Sequence, residues 1–241
     1  ELNDVDRAIE AYREVISAAP EHAATVEALE QLFERGVRQI EIGELLEPLY
    51  QAAGEWERLL SVREGQLAHL ESLEERIALY HRMAEDAEER LLDADRAFAI
   101  QVRALAEEPL NEQTTAELER LAASIDEGWE KLANAYADVL GSEGLTAATA
   151  AAVGNALARV FEEELADVPK AEETYRYVLT AVPAEPQALA QLDRIYSALE
   201  QWAELAGILE QRAVAAEDEF EKVELYLRLG SIYEEHLAGA D

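Results

Sequence analysis

Four histidines, His22, His69, His81 and His236, are the side chains best suited to bind a metal or to carry a proton near neutral pH. Their spacing supports neither role. None follows a glutamate by three positions, the Glu-x-x-His arrangement that holds di-iron sites in helical bundles, and no H-E-x-x-H occurs. Cysteine is absent, which removes thiolate nucleophiles, thiolate ligands and disulfides. Carboxylate runs such as Glu162-Glu163-Glu164 and Glu74-Glu75 could pair for acid–base work, but such runs usually form the solvated side of a helix. Gly141-x2-Gly144 reads as a cap and turn rather than a phosphate loop. Ser17, Ser61, Ser72, Ser124, Ser142, Ser197 and Ser231 have no triad context. The expectation is a chain with no catalytic constellation, no metal site and no cofactor.

The elements that carry these residues are helical. Apolar residues recur at three- and four-residue spacing, as in Leu29, Leu32, Phe33 and in Leu189, Leu192, Ile195, Tyr196, and strand-like alternation is missing. Pro and Gly punctuate the pattern. The spacing predicts helices over 4–18, 22–35, 42–53, 55–70, 72–91, 93–107, 111–124, 126–140, 146–165, 167–181, 185–199, 201–216 and 219–238.

Composition limits the partners. Asp and Glu number 53 against 20 Lys and Arg, a formal charge of −33 that repels nucleic acid and anionic membrane surfaces. At 49% hydrophobic residues a real core can form. No apolar run approaches the roughly 20 residues of a membrane span, so direct insertion is not expected. There is no leader pattern, but the chain opens at ELNDVDRA without Met and reads as a piece of a longer protein. The cytoplasm is favoured, with the periplasm left open. Arg outnumbers Lys 17 to 3 and Ala is abundant, the composition of a GC-rich bacterial gene.

The chain also repeats. DVDRAIEAYREVISAAP at 4–20 returns as DADRAFAIQVRALAEEP at 93–109 and DVPKAEETYRYVLTAVP at 167–183, at shifts of 89 and 74 residues. Tyr50, Trp56, Tyr80, Glu89 and Leu91 return 146 residues later as Tyr196, Trp202, Tyr226, Glu235 and Leu237, with Trp129 in the middle copy. The modules are four helices of about 74 residues, at about 4–92, 93–166 and 167–241, and the first carries an extra segment near 36–51, read as an additional short helix. One helix pair cannot bury both of its apolar faces, so repeated pairs stack.

At this point the residues resemble the tetratricopeptide repeat, whose signature is W-x2-L-G-x2-Y, then A-x3-F-x2-A, then P. Tyr226-x2-Leu229-Gly230-x2-Tyr233 looks like its first helix. Ala8-x3-Tyr12-x2-Val15-x4-Pro20, Ala97-x3-Gln101-x2-Ala104-x4-Pro109 and Ala171-x3-Tyr175-x2-Val178-x4-Pro183 look like its second. Gly230, Ala8, Ala97 and Ala171 are read as close approaches between helices. The alternate hairpins, such as 189–209, match more loosely, and a cousin repeat of the half-a-TPR type stays open. The resemblance implies an all-α, right-handed superhelical solenoid of antiparallel helix pairs, about 12 to 13 helices long.

The resemblance also implies a function. Such solenoids dock protein or peptide partners on a concave face lined by their first helices, which maps onto Gln31, His81, Glu85, Arg120, Asn155, Arg159, Arg194 and Ser231. The family's Lys/Asn clamp for peptide C-termini is not present. Arg120, Arg159 and Arg194 form a short line of arginines in an acidic chain. They could grip an acidic or carboxylate-bearing peptide, or they could pair with neighbouring Glu. The first functional reading is a non-catalytic interaction scaffold, and the alternative is a spacer segment of a very large repeat protein. Tyr226–Asp241 align with Tyr80–Asp95, and the helix that would follow is missing. The chain is therefore expected to be a fragment of a longer array, with self-association through its uncapped last helix a further expectation.

Overall fold

A computed structural model of the chain describes residues 2–238. The last three positions of the third-copy alignment, 239–241, lie outside the described residues. Thirteen α-helices run through the described residues, with no strand among them. They form two compact units, within Glu1–Ile125 and Asp126–Asp241. The first holds α1 (Leu2–Ala18), α2 (Ala23–Glu34), α3 (Gln39–Ala53), α4 (Trp56–Leu67), α5 (Leu73–Glu89), α6 (Ala94–Glu107) and α7 (Glu112–Ala122). The second holds α8 (Gly128–Leu140), α9 (Ala147–Arg159), α10 (Val168–Ala181), α11 (Pro186–Ala198), α12 (Trp202–Ala215) and α13 (Glu219–Ile232). π-helical turns extend α9 over Val160–Glu164 and α13 over Tyr233–Leu237. Counting those turns, every helix expected from the sequence is present, with ends within three residues. None of the described helices is long and apolar enough to cross a membrane.

Helices adjacent in the chain pack in pairs. The closest are α3 with α4 and α5 with α6 in the first unit, and α9 with α10 and α12 with α13 in the second. Each presents one apolar stripe, so a helix is covered on one side by the helix before it and on the other by the helix after it. The first unit buries Ile9, Leu29, Ile42, Leu46 and Leu59, and the second buries Tyr175, Leu192, Tyr196 and Leu209. Several helix starts are fixed by side-chain caps. Asp93 accepts from the Arg96 amide at 2.9 Å, and Asp167, its counterpart, accepts from the Lys170 amide at 3.1 Å.

The extra segment is helical, but the structure changes its role. By sequence spacing α2 is the counterpart of α7 and α11, and α3 is the insertion. In the fold α3 packs along α4, as α11 packs along α12, and it supplies the buried Tyr50 that matches Tyr196. The same turn follows both: the Glu55 amide donates to Tyr50 O at 2.9 Å, and the Gln201 amide to Tyr196 O at 3.0 Å. α2 packs on α3 and buries Leu29 and Phe33. The two helices therefore divide one role: α2 packs on α1 as α7 packs on α6, and α3 packs on α4 as α11 packs on α12 and carries the turn into the next helix.

The turns keep their shape while their residues change. Gly54, Glu127 and Glu200 hold one repeated position with φ of 71°, 53° and 55°, and Leu92 and Ala166 hold another with φ of 57° and 51°. A left-handed residue with a Cβ costs roughly 1–2 kcal/mol, and glycine avoids most of this. Glu200→Gly and Leu92→Gly are each expected to stabilise the chain by about 0.5–1 kcal/mol in urea unfolding. A loss of stability in both variants would contradict this account of the turns.

Small residues do mediate close approach, though not at every position expected. Ala97 and Ala171 are fully buried. Gly154 is tighter still, since a Cβ there would lie 2.4 Å from Val178 Cγ2. Gly230 departs from expectation: an added Cβ would meet nothing within 4 Å, because no helix covers that side of α13.

Candidate functional site

Three of the expected concave residues, His81 and Glu85 on α5 and Arg120 on α7, line one groove in the first unit, with a volume of about 710 Å³. Glu88, Glu89, Gln101 and Glu117 line it as well. The groove has a simple origin. Gln101 on α6 stands where the other two copies carry Tyr12 and Tyr175, and a side chain without a ring leaves space between α5, α6 and α7. Gln101 is 3% exposed, and its Oε1 has no hydrogen-bond partner. Buried polar atoms are nearly always paired, so this acceptor is a marked exception.

Several other polar groups of the groove are engaged. His81 Nε2 and Thr114 Oγ1 share a hydrogen bond of 2.8 Å. Burial lowers the His81 pKa, with Glu117 and Glu108 opposing, which favours the neutral imidazole. Arg120 donates to both carboxylate oxygens of Glu88, at 2.8 and 2.5 Å, and through Nε to Glu117 at 2.9 Å. These bonds raise the Arg120 pKa and hold the Glu88 carboxyl below the usual glutamate range. Against Arg82 and Arg120 the groove sets Glu85, Glu88, Glu89 and Glu117, so its field is acidic.

The arginine pairing recurs in the second unit. Arg194 on α11 reaches Glu162, 32 positions earlier, as Arg120 reaches Glu88, also 32 positions earlier. Arg194 also donates to Gln191 Oε1 at 2.9 Å. Arg159 lies 3.9 Å from Glu163. The expected line of arginines is thus a repeated set of ties to neighbouring carboxylates.

The remaining expected residues are dispersed. Asn155 on α9, the counterpart of His81, is buried with its Oδ1 unpartnered. Ser231 is exposed and donates to Leu227 O at 3.2 Å in its own helix. Gln31 is not brought to the groove: it is exposed on α2 and hydrogen-bonded to Glu27 of the same helix. Its kinship with Arg120 and Arg194 is weakened because α2 and α3 divide the place of α11, α2 against the helix before and α3 against the helix after. Counting back from Arg194 by 146 residues leads instead to Pro48. Gln101 is the residue that sequence reasoning passed over. Its signal was visible, as the one non-aromatic residue at that position of the three copies.

Comparison with known proteins gives one match to a family model and alignments to two solved structures. The tetratricopeptide repeat model matches residues 188–224, which is the more loosely fitting α11–α12 hairpin together with the start of α13. Among solved structures, the chain aligns over 96% of its length with the TPR domain of P58(IPK), covering 66% of that chain at 14% identity with a TM-score of 0.39. It aligns over 96% of its length with the TPR2AB domain of yeast Sti1, solved in complex with pHSP90, covering 98% of that chain at 13% identity with a TM-score of 0.32. No curated protein matches. The matched repeat, carried by helices that pack in sequential pairs throughout both units, makes this chain a tetratricopeptide-like helical-repeat protein.

Proposed function

We propose that the chain is a protein-interaction scaffold that docks a basic partner segment in the groove between α5, α6 and α7. The observation that carries this reading is Gln101, whose amide oxygen is buried in the groove wall without a donor. Leaving such an atom unpaired costs about 1–3 kcal/mol, which an N–H from a docked segment would recover once the Gln101 side chain turns toward the groove. Four carboxylates against two arginines leave the groove a net negative charge, which favours lysine or arginine side chains on that segment. The acidic-peptide reading is less well supported, because the guanidinium of Arg120 already spends its donors on Glu88 and Glu117.

The test uses labelled lysine- and arginine-rich peptides against aspartate- and glutamate-rich ones, with binding followed by fluorescence anisotropy. The basic set is expected to bind and to weaken as salt rises. Gln101→Tyr, which restores the residue of the other copies, is expected to fill the groove and reduce affinity at least about tenfold, or ~1.4 kcal/mol. Unchanged binding in that variant, or a preference for acidic peptides, would sink the reading.

A further inference from the structure

The hydrogen bonds around His81 fix where its ring carries a proton. His81 Nε2 lies 2.8 Å from Thr114 Oγ1, a contact in which either group can donate. The next bonds along decide between them. Asn111 caps α7: its Oδ1 accepts from the Thr114 amide at 3.0 Å, and its Nδ2 donates to Glu108 at 2.9 Å, so its amide has one orientation. The same Oδ1 accepts from the Thr114 hydroxyl at 3.1 Å. Thr114 has a single hydroxyl proton, and it is committed there. Thr114 Oγ1 therefore accepts from His81, and the neutral ring carries its proton on Nε2. Thr114 is fully buried, so this bond also anchors the ring at the groove wall.

The tautomer leaves Nδ1 as an acceptor. The ring is half-buried, with its Nε2 turned to the buried Thr114. Charges of both signs surround it. α5 brings Arg82, Glu85, Glu88 and Glu89, the end of α6 brings Glu108, and α7 brings Glu117 and Arg120. Arg120 is tied to Glu88 and Glu117. The charge that α4 brings to α5, on Arg63, is spent on Glu47 and Asp86.

We propose that His81 Nδ1 is a second acceptor of the groove beside Gln101 Oε1, and that it selects segments presenting N–H donors only while the ring is neutral. This rests on the docking reading above and adds a pH-dependent selector to it. A proton on Nδ1 turns the acceptor into a donor and adds a positive charge, so the ring then opposes both an N–H and a cation. Docking of a basic segment therefore lowers the His81 pKa. A group whose pKa is lower in the complex than in the free chain weakens the complex as pH falls through its free value. Burial already places that free value below the ordinary 6.5.

The experiment is an NMR pH titration of the chain labelled with 15N in its histidines, free and saturated with lysine- and arginine-rich peptides. His81→Asn assigns the His81 signals and places there the residue type of the counterpart Asn155. Circular dichroism checks that this variant keeps its helices. At neutral pH the free ring is expected to carry its proton on Nε2. Saturating peptide is expected to lower the His81 pKa by at least about one unit. Anisotropy is expected to show wild-type affinity about tenfold weaker one pH unit below the free His81 pKa, since about a tenth of the rings are then neutral. Acid also neutralises carboxylates, and His81→Asn keeps those of the groove, so its smaller change over the same range is the reference. A proton on Nδ1, a His81 pKa unmoved by saturating peptide, or the same pH profile in both proteins overturns the proposal and leaves the docking reading standing. Failure of every basic peptide to bind at neutral pH overturns both.

Discussion

Arg63→Ala is expected to cost about 3–5 kcal/mol, a large part of the stability of a domain. Arg63 is 2% exposed in the middle of α4. It donates to Glu47 of α3 at 3.2 Å, and it pairs with Asp86 of α5, so one guanidinium ties three helices. Removing it leaves two carboxylates, each only 16% exposed, facing one another with no cation between them. Urea unfolding followed by circular dichroism measures the loss. Replacing all three residues with apolar ones of similar volume should recover most of it, because the penalty comes from uncompensated charge rather than from a lost attraction. A loss below about 1 kcal/mol in Arg63→Ala would mean the cluster behaves like a surface ion pair. The second unit inverts the device. Asp193, the counterpart of Glu47, is buried between Arg212 and Arg228.

Gly154→Ala is expected to destabilise the second unit by about 1–3 kcal/mol despite the higher helix propensity of alanine. The new Cβ would fall 2.4 Å from Val178 Cγ2, and a β-branched side chain fixed in a helix has no other rotamer to retreat to. Val178→Ala alone should also lose stability, through a cavity. The double variant should lose less than the sum of the two, since each change relieves the other. Thermal unfolding of the four proteins measures the coupling. Strict additivity would show that α9 and α10 are not in close contact at this point.

These two predictions mark what the sequence could show. The thirteen helices were legible because apolar periodicity, Pro and Gly act within a single turn of chain. The roles of α2 and α3 were not, because α2 matches the repeat from Pro20 forward while α3 matches it back from Trp56, and only packing shows that they divide one role. The arginines were legible as a line but not as ties, since Arg120 and Glu88 lie 32 positions apart and meet only when α5 and α7 are brought together. Arg63 gave no signal at all: a charged residue in a helix rich in charge reads as solvated. Gln101 stands within its motif, and only the loss of a ring there sets it apart from Tyr12 and Tyr175. Gly230 was assigned a close approach by its place in the motif, which holds only where a second helix is present.

The π-helical turns after α9 and α13 have a consequence for how such a chain can change. A π-helical turn holds one residue more than an α-helical turn. Val160–Glu164 and Tyr233–Leu237 therefore each contain a spare residue at the end of a first helix. A single deletion there can be absorbed by tightening the turn to ordinary α-helix, and the helix that follows keeps its phase. A deletion in mid-helix would rotate every later apolar residue by about 100° away from its partner. The spacing between copies already varies along the chain, from 74 residues between the faces of α5 and α9 to 72 between those of α9 and α13. Length drift in this repeat also falls in the connections between helices: Arg120 and Arg194 lie 74 residues apart, but Glu127 and Glu200, just past the next turn, lie 73 apart.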